Sequence, residues 1–242
     1  MIRAVTFDFW GTLYEEGPLT ERRHQLRGEY ARGFLLGKGY QVAEKQLGYA
    51  FRVLERYVNW QRESRHAGLD AEEVGQRLAE IVGIRLEGGD AAQLGELISS
   101  ASREAPPVLL DTAREVLSAL HGRAALALIC DTGFTLGHDL YAVMEADGVG
   151  QLFDAFTFSN QTGTTKPEVR QFHYTLYRLG CRPDEAVHVG DLEATDVAGA
   201  RQAGMRAIRI VNADADPATE ADAAVEDLRG VPDVLRGWGL AV

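Results

Sequence analysis

Short apolar runs alternate with helical segments throughout the second half of this 242-residue chain. The apolar runs lie at 124–130, 153–158, 186–189 and 206–211. Segments with helical patterning lie between or beside them at 111–120, 135–145, 167–179 and 195–203. Such alternation is typical of βαβ units, which build a parallel sheet with helices covering both faces. The pattern therefore predicts an α/β fold from about residue 106 onward.

A further strand is predicted at the beginning of the chain. Residues 2–9 are rich in Val, Thr and Phe, and a turn at Trp10-Gly11-Thr12 follows them. The next part of the chain has no convincing strand and predicts four helices, at 20–37, 42–63, 70–83 and 90–103. Thr20 is the expected N-cap of the first of these helices. A last helix is expected in the acidic tail, residues 214–242.

These elements together predict a doubly wound, Rossmann-like parallel sheet with an inserted all-helical cap domain. The sheet domain is expected to comprise residues 1–14 and 104–242, and the cap domain residues 15–103. Ligands of doubly wound sheets bind at the carboxyl ends of the strands. An insert that leaves from the end of the first strand would therefore lie over the binding site.

Charge and cysteine content restrict the partners and the compartment. The chain has 25 basic and 36 acidic residues, a net charge of −11, which disfavours nucleic acid and anionic membrane surfaces as partners. Two cysteines, Cys130 and Cys181, cannot form the disulfide framework of a small secreted protein. The first residues reach Asp8 before a signal-peptide apolar region is complete, and the run at 124–130 is too short to span a membrane. We therefore expect a cytoplasmic protein; its oligomeric state stays open.

Polar residues that could take part in catalysis or binding stand at the ends of the predicted strands. Each has an ordinary structural interpretation, since Asp often caps a turn, Lys before Pro is usually solvated, and Cys or Thr often packs. Their order along the chain is more informative than any one of them. The segments are Phe7-Asp8-Phe9-Trp10-Gly11-Thr12-Leu13, Cys130-Asp131-Thr132-Gly133, Lys166-Pro167 and Gly190-Asp191-Leu192-Glu193-Ala194-Thr195-Asp196.

This set of segments resembles the haloacid dehalogenase-like hydrolase superfamily, in its helical-cap subgroup. Members of that superfamily have a strand ending in Asp-x-Asp-Gly-Thr-Leu, a second strand ending in Ser or Thr, a Lys-Pro pair, and Gly-Asp-x-x-x-x-Asp. The resemblance extends from Val5 to about Ala203 and includes the position of the cap.

The resemblance implies a role for each matching residue. Asp8 would be the nucleophile and would form an aspartyl intermediate that water later opens. Asp8, the backbone carbonyl of Trp10 and Asp191 would bind Mg²⁺, which prefers oxygen ligands. Lys166, acting as a positive point charge, would keep Asp8 ionised. Asp196 would be an assisting acid behind it. The residues expected to bind the substrate's phosphoryl oxygens are Thr12, Cys130, Asp131 and Thr132.

Two positions depart from the family pattern. Phosphatases of the superfamily have an Asp where this chain has Trp10, and that Asp acts as general acid and base. Indole has one N–H donor and no group that titrates near neutral pH, and the loss of a general acid typically lowers a rate 10²–10⁴-fold. Cys130 stands where Ser or Thr usually binds phosphate, and Thr132 and Asp131 are the alternatives for that contact.

Trp10 and Asp191 favour different reactions. Dehalogenases of the superfamily have an aromatic Tyr at the position of Trp10, because halide leaves without a proton. These dehalogenases lack both the metal and the acidic fourth motif. This chain has Asp191 in that motif, and without a cation its carboxylate would repel that of Asp8. We therefore expect Mg²⁺-dependent hydrolysis of a small phosphorylated metabolite through an aspartyl phosphate on Asp8. The alternatives are a metal-independent 2-haloacid dehalogenase and a weakly active ligand-binding member.

Overall fold

A parallel sheet forms the centre of the protein. The computed structural model describes residues 1–211 and 218–241, and within them the sheet has six strands in the order β5-β4-β1-β6-β7-β8. Two further strands, β2 and β3, pair antiparallel beside it. In chain order the strands are β1 Ala4–Phe7, β2 Tyr14–Glu15, β3 Val108–Leu109, β4 Ala125–Cys130, β5 Ala155–Phe158, β6 Ala186–Gly190, β7 Arg206–Ile210 and β8 Ala223–Val225.

Helices connect these strands and cover the sheet. In chain order they are α1 Thr20–Gly37, α2 Glu44–Arg65, α3 Ala71–Ile81, α4 Asp90–Glu104, α5 Asp111–Leu120, α6 Gly137–Ala146, α7 Ser159–Thr162, α8 Val169–Leu179, α9 Ala198–Gln202 and α10 Val231–Gly237. Short 3₁₀ turns lie at Gly150–Leu152, Pro183–Glu185 and Leu228–Gly230, and a π-helical turn at Glu193–Val197 leads into α9.

Both faces of the sheet are buried, as the apolar runs predict. One face carries Phe7, Leu128 and Val189, which pack with residues of α5, α6 and α10. The other face carries Ala4 and Ile129, which pack against residues of α8 and α9. All four residues of β1 are buried. The predicted fold class, a doubly wound α/β sheet, is confirmed.

Helices α1–α4 lie between β2 and β3 in the chain, and we refer to them as the helical insert. They enclose an apolar cluster of their own, which includes Leu54, Leu78 and Leu94. Helices α3 and α4 cross closely at two glycines: an added Cβ at Gly75 would lie 1.9 Å from Ala91 O, closer than any side chain tolerates. The insert therefore has a packed interior separate from that of the sheet.

The insert is joined to the sheet by a buried polar contact between α4 and α6. The carboxylate of Asp139 is fully buried and accepts hydrogen bonds from Ser99 Oγ and Arg103 Nε. Ser99 Oγ in turn accepts a hydrogen bond of 2.8 Å from the backbone N of Leu136. Buried polar groups that are fully paired in this way hold two elements in a specific arrangement.

The structure differs from the sequence expectations in several details. Leu19, not Thr20, is the N-cap of α1, and Thr20 Oγ1 donates to Gly17 O at 2.9 Å instead. The helix expected at 195–203 begins two residues earlier with the π-helical turn. Strands β2, β3 and β8 and the short helix α7 are absent from the sequence expectations. Helix α10 lies in the acidic tail, of which residues 214–217 and 242 are outside the described residues. Across the described ranges, no helix combines the length and apolarity needed to cross a membrane.

Candidate active site

Four of the predicted site residues meet at the carboxyl ends of the central strands. Asp8 directly follows β1, and its backbone N donates to Val189 O in β6 at 2.9 Å. Asp191 directly follows β6, Lys166 precedes α8, and Asp196 lies in the π-helical turn after β6. Because β1 and β6 are parallel neighbours in register, their ends place these side chains together.

Lys166 lies between two carboxylates. Its Nζ donates to Asp8 Oδ1 and, at 2.6 Å, to Asp196 Oδ1. The side chains of all three residues are at most 8% exposed. The backbone N of Lys166 donates to Asp131 Oδ1 at 3.0 Å, so both the main chain and the ammonium group of this lysine are fixed within the site.

Asp196 is held from several sides. Its Oδ2 accepts a hydrogen bond of 3.0 Å from the backbone N of Leu192, across the π-helical turn. His188 Nε2 lies 3.2 Å from Asp196 Oδ1, and Thr6 Oγ1 lies 2.8 Å from His188 Nδ1. An added Cβ at Gly190 would lie 2.3 Å from Asp196 Cγ, so this position admits only glycine. Isolated π-helical turns are frequent at functional sites.

His188 is a site residue that the sequence motifs do not indicate. It stands in the apolar strand Ala186–Gly190 and is 1% exposed. Burial lowers the pKa of its imidazole, which is therefore neutral at neutral pH. A neutral imidazole whose Nδ1 accepts a hydrogen bond from Thr6 Oγ1 carries its proton on Nε2. This Nε2–H then donates a hydrogen bond to Asp196 Oδ1. The only sequence signal was a polar residue within an apolar run.

The carboxyl groups of the site differ in pKa. Burial raises the pKa of Asp8 to about 8, with Lys166 acting against this and Asp196 adding to it. Burial also acts to raise the pKa of Asp196, but the nearby Lys166 ammonium and His188 hold it below its ordinary value. Burial, and then the charge of Asp196, raise the pKa of Asp191 to about 6. Within the described site, a single ammonium group faces three carboxylates when all are ionised.

This excess of negative charge fits a divalent cation. One oxygen from each of Asp8, Asp191 and Asp196 lies within 4.8 Å of the others. Asp191 Oδ1 is buried and has no hydrogen-bond partner among the described residues, which is unfavourable unless another group satisfies it. Gly11 leaves the room for this carboxylate, since a Cβ there would lie 2.5 Å from Asp191 Oδ2. Carboxylate oxygens are the ligands that Mg²⁺ prefers.

The residues predicted to bind the phosphoryl group lie in different environments. Thr12 is fully buried, and its Oγ1 has no hydrogen-bond partner in the described part of the chain. Cys130 is also fully buried and packs in the apolar core, and burial raises the pKa of its thiol. Asp131 is engaged with the backbone of Lys166, as described above. Thr132 Oγ1 lies 3.0 Å from Ser159 Oγ, which also accepts from the Thr132 backbone N at 2.9 Å.

A cleft of about 470 Å³ lies between the helical insert and this end of the sheet. Trp10 lines it, half-buried, with its ring packed edge-on to Phe9 at a centroid distance of 4.9 Å. Asp131 lines the cleft from the sheet side, and Arg23 and Arg27 line it from the insert. The volume suits a small molecule. The cleft therefore brings the insert, Trp10 and the Asp131 loop to one binding space.

Comparison with known proteins identifies the family. The family model described as haloacid dehalogenase-like hydrolase matches residues 2–204. A ribulose-1,5-bisphosphate 5-phosphatase from Halopiger xanaduensis is 29% identical over 223 residues, which cover 92% of this chain and 88% of that protein. A glyceraldehyde 3-phosphate phosphatase from Methanothermobacter thermautotrophicus is 40% identical over 63 residues, and the match spans only 28% of its length.

Solved structures share the fold over nearly the whole chain. A 2-haloacid dehalogenase from Pseudomonas syringae is 24% identical, with a TM-score of 0.68 over 99% of this chain and 100% of that one. A phosphatase of the same superfamily from Thermococcus onnurineus is 21% identical, with a TM-score of 0.67 over 98% and 99% of the two chains. These neighbours include both reaction types and establish the fold alone. With the family match over residues 2–204, they lead to one conclusion: the chain belongs to the haloacid dehalogenase-like hydrolases.

Proposed function

We propose that this protein is a Mg²⁺-dependent phosphatase that hydrolyses a small phosphorylated metabolite through an aspartyl phosphate on Asp8. The observation that carries the proposal is the cluster of Asp8, Asp191 and Asp196 around a single ammonium group, with Asp191 Oδ1 buried and unpaired among the described residues. A cation is the natural partner of such a cluster. The phosphatase names of the relatives support the same class of substrate.

Asp8, Asp191 and the backbone carbonyl of Trp10 would hold the cation. When bound, Mg²⁺ supplies positive charge that stabilises the negative oxygens of a transferring phosphoryl group. Asp196 would keep Lys166 in place and, through it, the orientation of Asp8. This division of roles accounts for the pairing of Asp196 with three groups, while Asp191 Oδ1 has no partner among the residues described.

The reaction proceeds in two displacements. Asp8 attacks phosphorus, a new O–P bond forms, and the bond to the ester oxygen breaks with its electron pair passing to the leaving group. Lys166 lies beside Asp8 and stabilises the negative charge of the transferring group. Water then attacks phosphorus, the O–P bond to Asp8 breaks with its electron pair returning to the Asp8 carboxylate, and the protons of the water leave with the released phosphate or pass to solvent. Thr12 Oγ1, buried and unpaired within the described chain, is available to donate to a phosphoryl oxygen.

Trp10 restricts which substrates react well. No acid stands at this position to protonate the leaving oxygen, since indole does not titrate near neutral pH. Alkyl phosphates, whose leaving groups need that proton, should therefore react slowly. Acyl and aryl phosphates, whose leaving groups depart as stable anions, should react faster. Rates measured over a series of leaving groups test this, and rates that do not vary with leaving-group pKa would contradict it.

A metal-independent dehalogenase is the second candidate, because Trp10 is aromatic and lacks an acid. In that reaction Asp8 attacks carbon and halide leaves without a proton. A paired assay separates the two: p-nitrophenyl phosphate with Mg²⁺ or with EDTA, and release of halide from 2-chloropropionate without metal. Phosphate release that EDTA abolishes supports the proposal, and halide release without metal overturns it. No activity in either assay favours a weakly active ligand-binding member.

A further inference from the structure

Arg27 is a buried guanidinium group that forms no ion pair with a carboxylate among the described residues. Its residue is 7% exposed, and over the described ranges no carboxylate oxygen lies within 4.0 Å of it. One nitrogen, Nη2, donates to Thr135 Oγ1 at 3.0 Å, and the guanidinium lies 5.1 Å from the centre of the Phe134 ring. Its Nε is buried with no hydrogen-bond partner in the described structure. A buried charge and an unpaired donor are both unfavourable.

Arg23, one turn earlier in α1, shows what a purely structural arginine looks like in this chain. It is 1% exposed, donates to Ala105 O at 2.9 Å, and forms an ion pair with Glu16. Residues four apart share one face of a helix, so both arginines face the sheet side of the insert. Arg23 is satisfied by the protein itself, whereas Arg27 keeps one donor, Nε, without a partner in the part of the chain that the structure describes.

Arg27 lies close to residues of the candidate active site. Arg27 lines the same cleft as Trp10, Gly11 and Asp131. Its partner Thr135 belongs to the loop after β4, which also carries Asp131 and reaches the backbone of Lys166. Burial lowers the pKa of Arg27 to about 10, so the group stays charged at neutral pH. Arg27 therefore offers a positive charge from the insert to a cleft that is also lined by Trp10 and Gly11, the residues two and three positions after Asp8.

We propose that Arg27 binds a second anionic group of the substrate, a carboxylate or a second phosphate, while the reacting phosphate lies at Asp8. This inference rests on the proposed function and names its substrate class: phosphate esters that carry another negative charge. A guanidinium presents Nε–H and Nη–H donors in a planar fork that matches two oxygens of such a group. The anion would satisfy Nε and neutralise the buried charge. Of the cleft carboxylates whose charge acts on Arg27, Glu16 pairs with Arg23, and Glu55 is exposed and forms no described ion pair with Arg27.

Binding of phosphonates, which phosphatases do not hydrolyse, tests this inference without turnover. Ethylphosphonate carries no second anion, phosphonoacetate adds a carboxylate, and propane-1,3-diphosphonate adds a second phosphonate. We would measure their dissociation constants by titration calorimetry with Mg²⁺ present, for the wild-type protein and for Arg27→Met and Arg27→Lys. Arg22→Met is the matched control, because Arg22 lies in the same helix, is exposed and pairs with Glu29.

We expect at least one probe with a second anion to bind wild-type protein about 10- to 100-fold more tightly than ethylphosphonate, the strength of a hydrogen bond between charged groups. Arg27→Met should abolish this preference, Arg27→Lys should keep part of it, and Arg22→Met should keep all of it. The preferred probe tells a carboxylate from a second phosphate. No preference in the wild type, or an unchanged preference in Arg27→Met, would overturn the inference.

A purely structural role of Arg27 predicts a lower melting temperature without a change in the preference between probes. If Arg27→Met does not fold, Arg27→Lys replaces it: a preference smaller than that of the wild type then supports the inference, and an unchanged preference overturns it. The paired p-nitrophenyl phosphate assay keeps the two proposals apart. Hydrolysis by a wild-type protein that shows no preference among phosphonates refutes only the role of Arg27. A clear preference without hydrolysis refutes only the phosphatase.

Discussion

Replacing Lys166 with Met should strongly destabilise the protein. The change removes the ammonium from between Asp8 and Asp196 and leaves two carboxylates whose side chains are only 8% and 2% exposed. Removing one partner of a buried ion pair lowers the free energy of unfolding by about 3–5 kcal/mol. For a chain of this size, that corresponds to a fall in melting temperature of roughly 6–20 °C.

Urea unfolding of Lys166→Met and wild-type protein, with EDTA present, measures this loss. Lys38→Met is the control, because Lys38 pairs with Asp90 at 2.7 Å but its side chain is 39% exposed, and such pairs contribute about 1 kcal/mol or less. The difference between Lys166→Met and wild type should shrink from pH 8 to pH 5. Burial already raises the folded-state pKa of Asp8 above its unfolded value, and removing the ammonium raises it further. The pKa of Asp196, which Lys166 helps to hold low, also rises, so protonation of both carboxylates favours the folded variant more than the folded wild type. A loss below about 1 kcal/mol at pH 8 would refute the reasoning.

Three further substitutions test the site. Asp8→Asn should abolish phosphate release while the circular dichroism spectrum stays that of the wild type, and residual turnover would exclude Asp8 as the nucleophile. Trp10→Asp should raise kcat for alkyl phosphates by about 10²–10⁴-fold, and an unchanged rate would indicate that a missing acid does not limit the reaction. Gly11→Ala should weaken Mg²⁺ binding in calorimetry, because its Cβ would lie 2.5 Å from Asp191 Oδ2 at a φ of +73°; wild-type affinity would argue against Asp191 as a ligand.

The fold and the centre of the site could be predicted because local sequence signals determine them. Apolar runs locate strands, and the residues after Phe7, Cys130 and Gly190 must then lie at one edge of the sheet, since parallel strands end on the same side. The convergence of Asp8 and Asp191 follows directly from this topology. The roles given to these residues, and the division of the chain at residues 14–15 and 103–104, stay predictions.

The features that were missed depend on tertiary contacts. Strand β8, Ala223–Val225, consists of small residues without clear alternation and forms because β7 offers it an edge. The π-helical turn at Glu193–Val197 depends on Asp196, which binds Leu192 N across the turn and Lys166 from another segment. Arg27 stands in an arginine-rich helix, where the ordinary expectation is a solvated side chain. Only the packing of α1 against the loop after β4 reveals that it is buried.

The pairing of β2 with β3 has a consequence for how the sequence of this chain can evolve. Tyr14 lies opposite Leu109, so the helical insert leaves and rejoins the protein at neighbouring points, about 4.8 Å apart. The insert is thus a loop of roughly 90 residues between two paired strands. Replacing it with a six-residue turn would reduce the entropic free-energy cost of closing this loop by about 2.4 kcal/mol. We therefore expect the strands of the sheet to assemble without the insert. Inserts of other lengths and sequences can be exchanged at this junction, and substrate preference can diverge while the strands that carry Asp8 and Asp191 stay as they are.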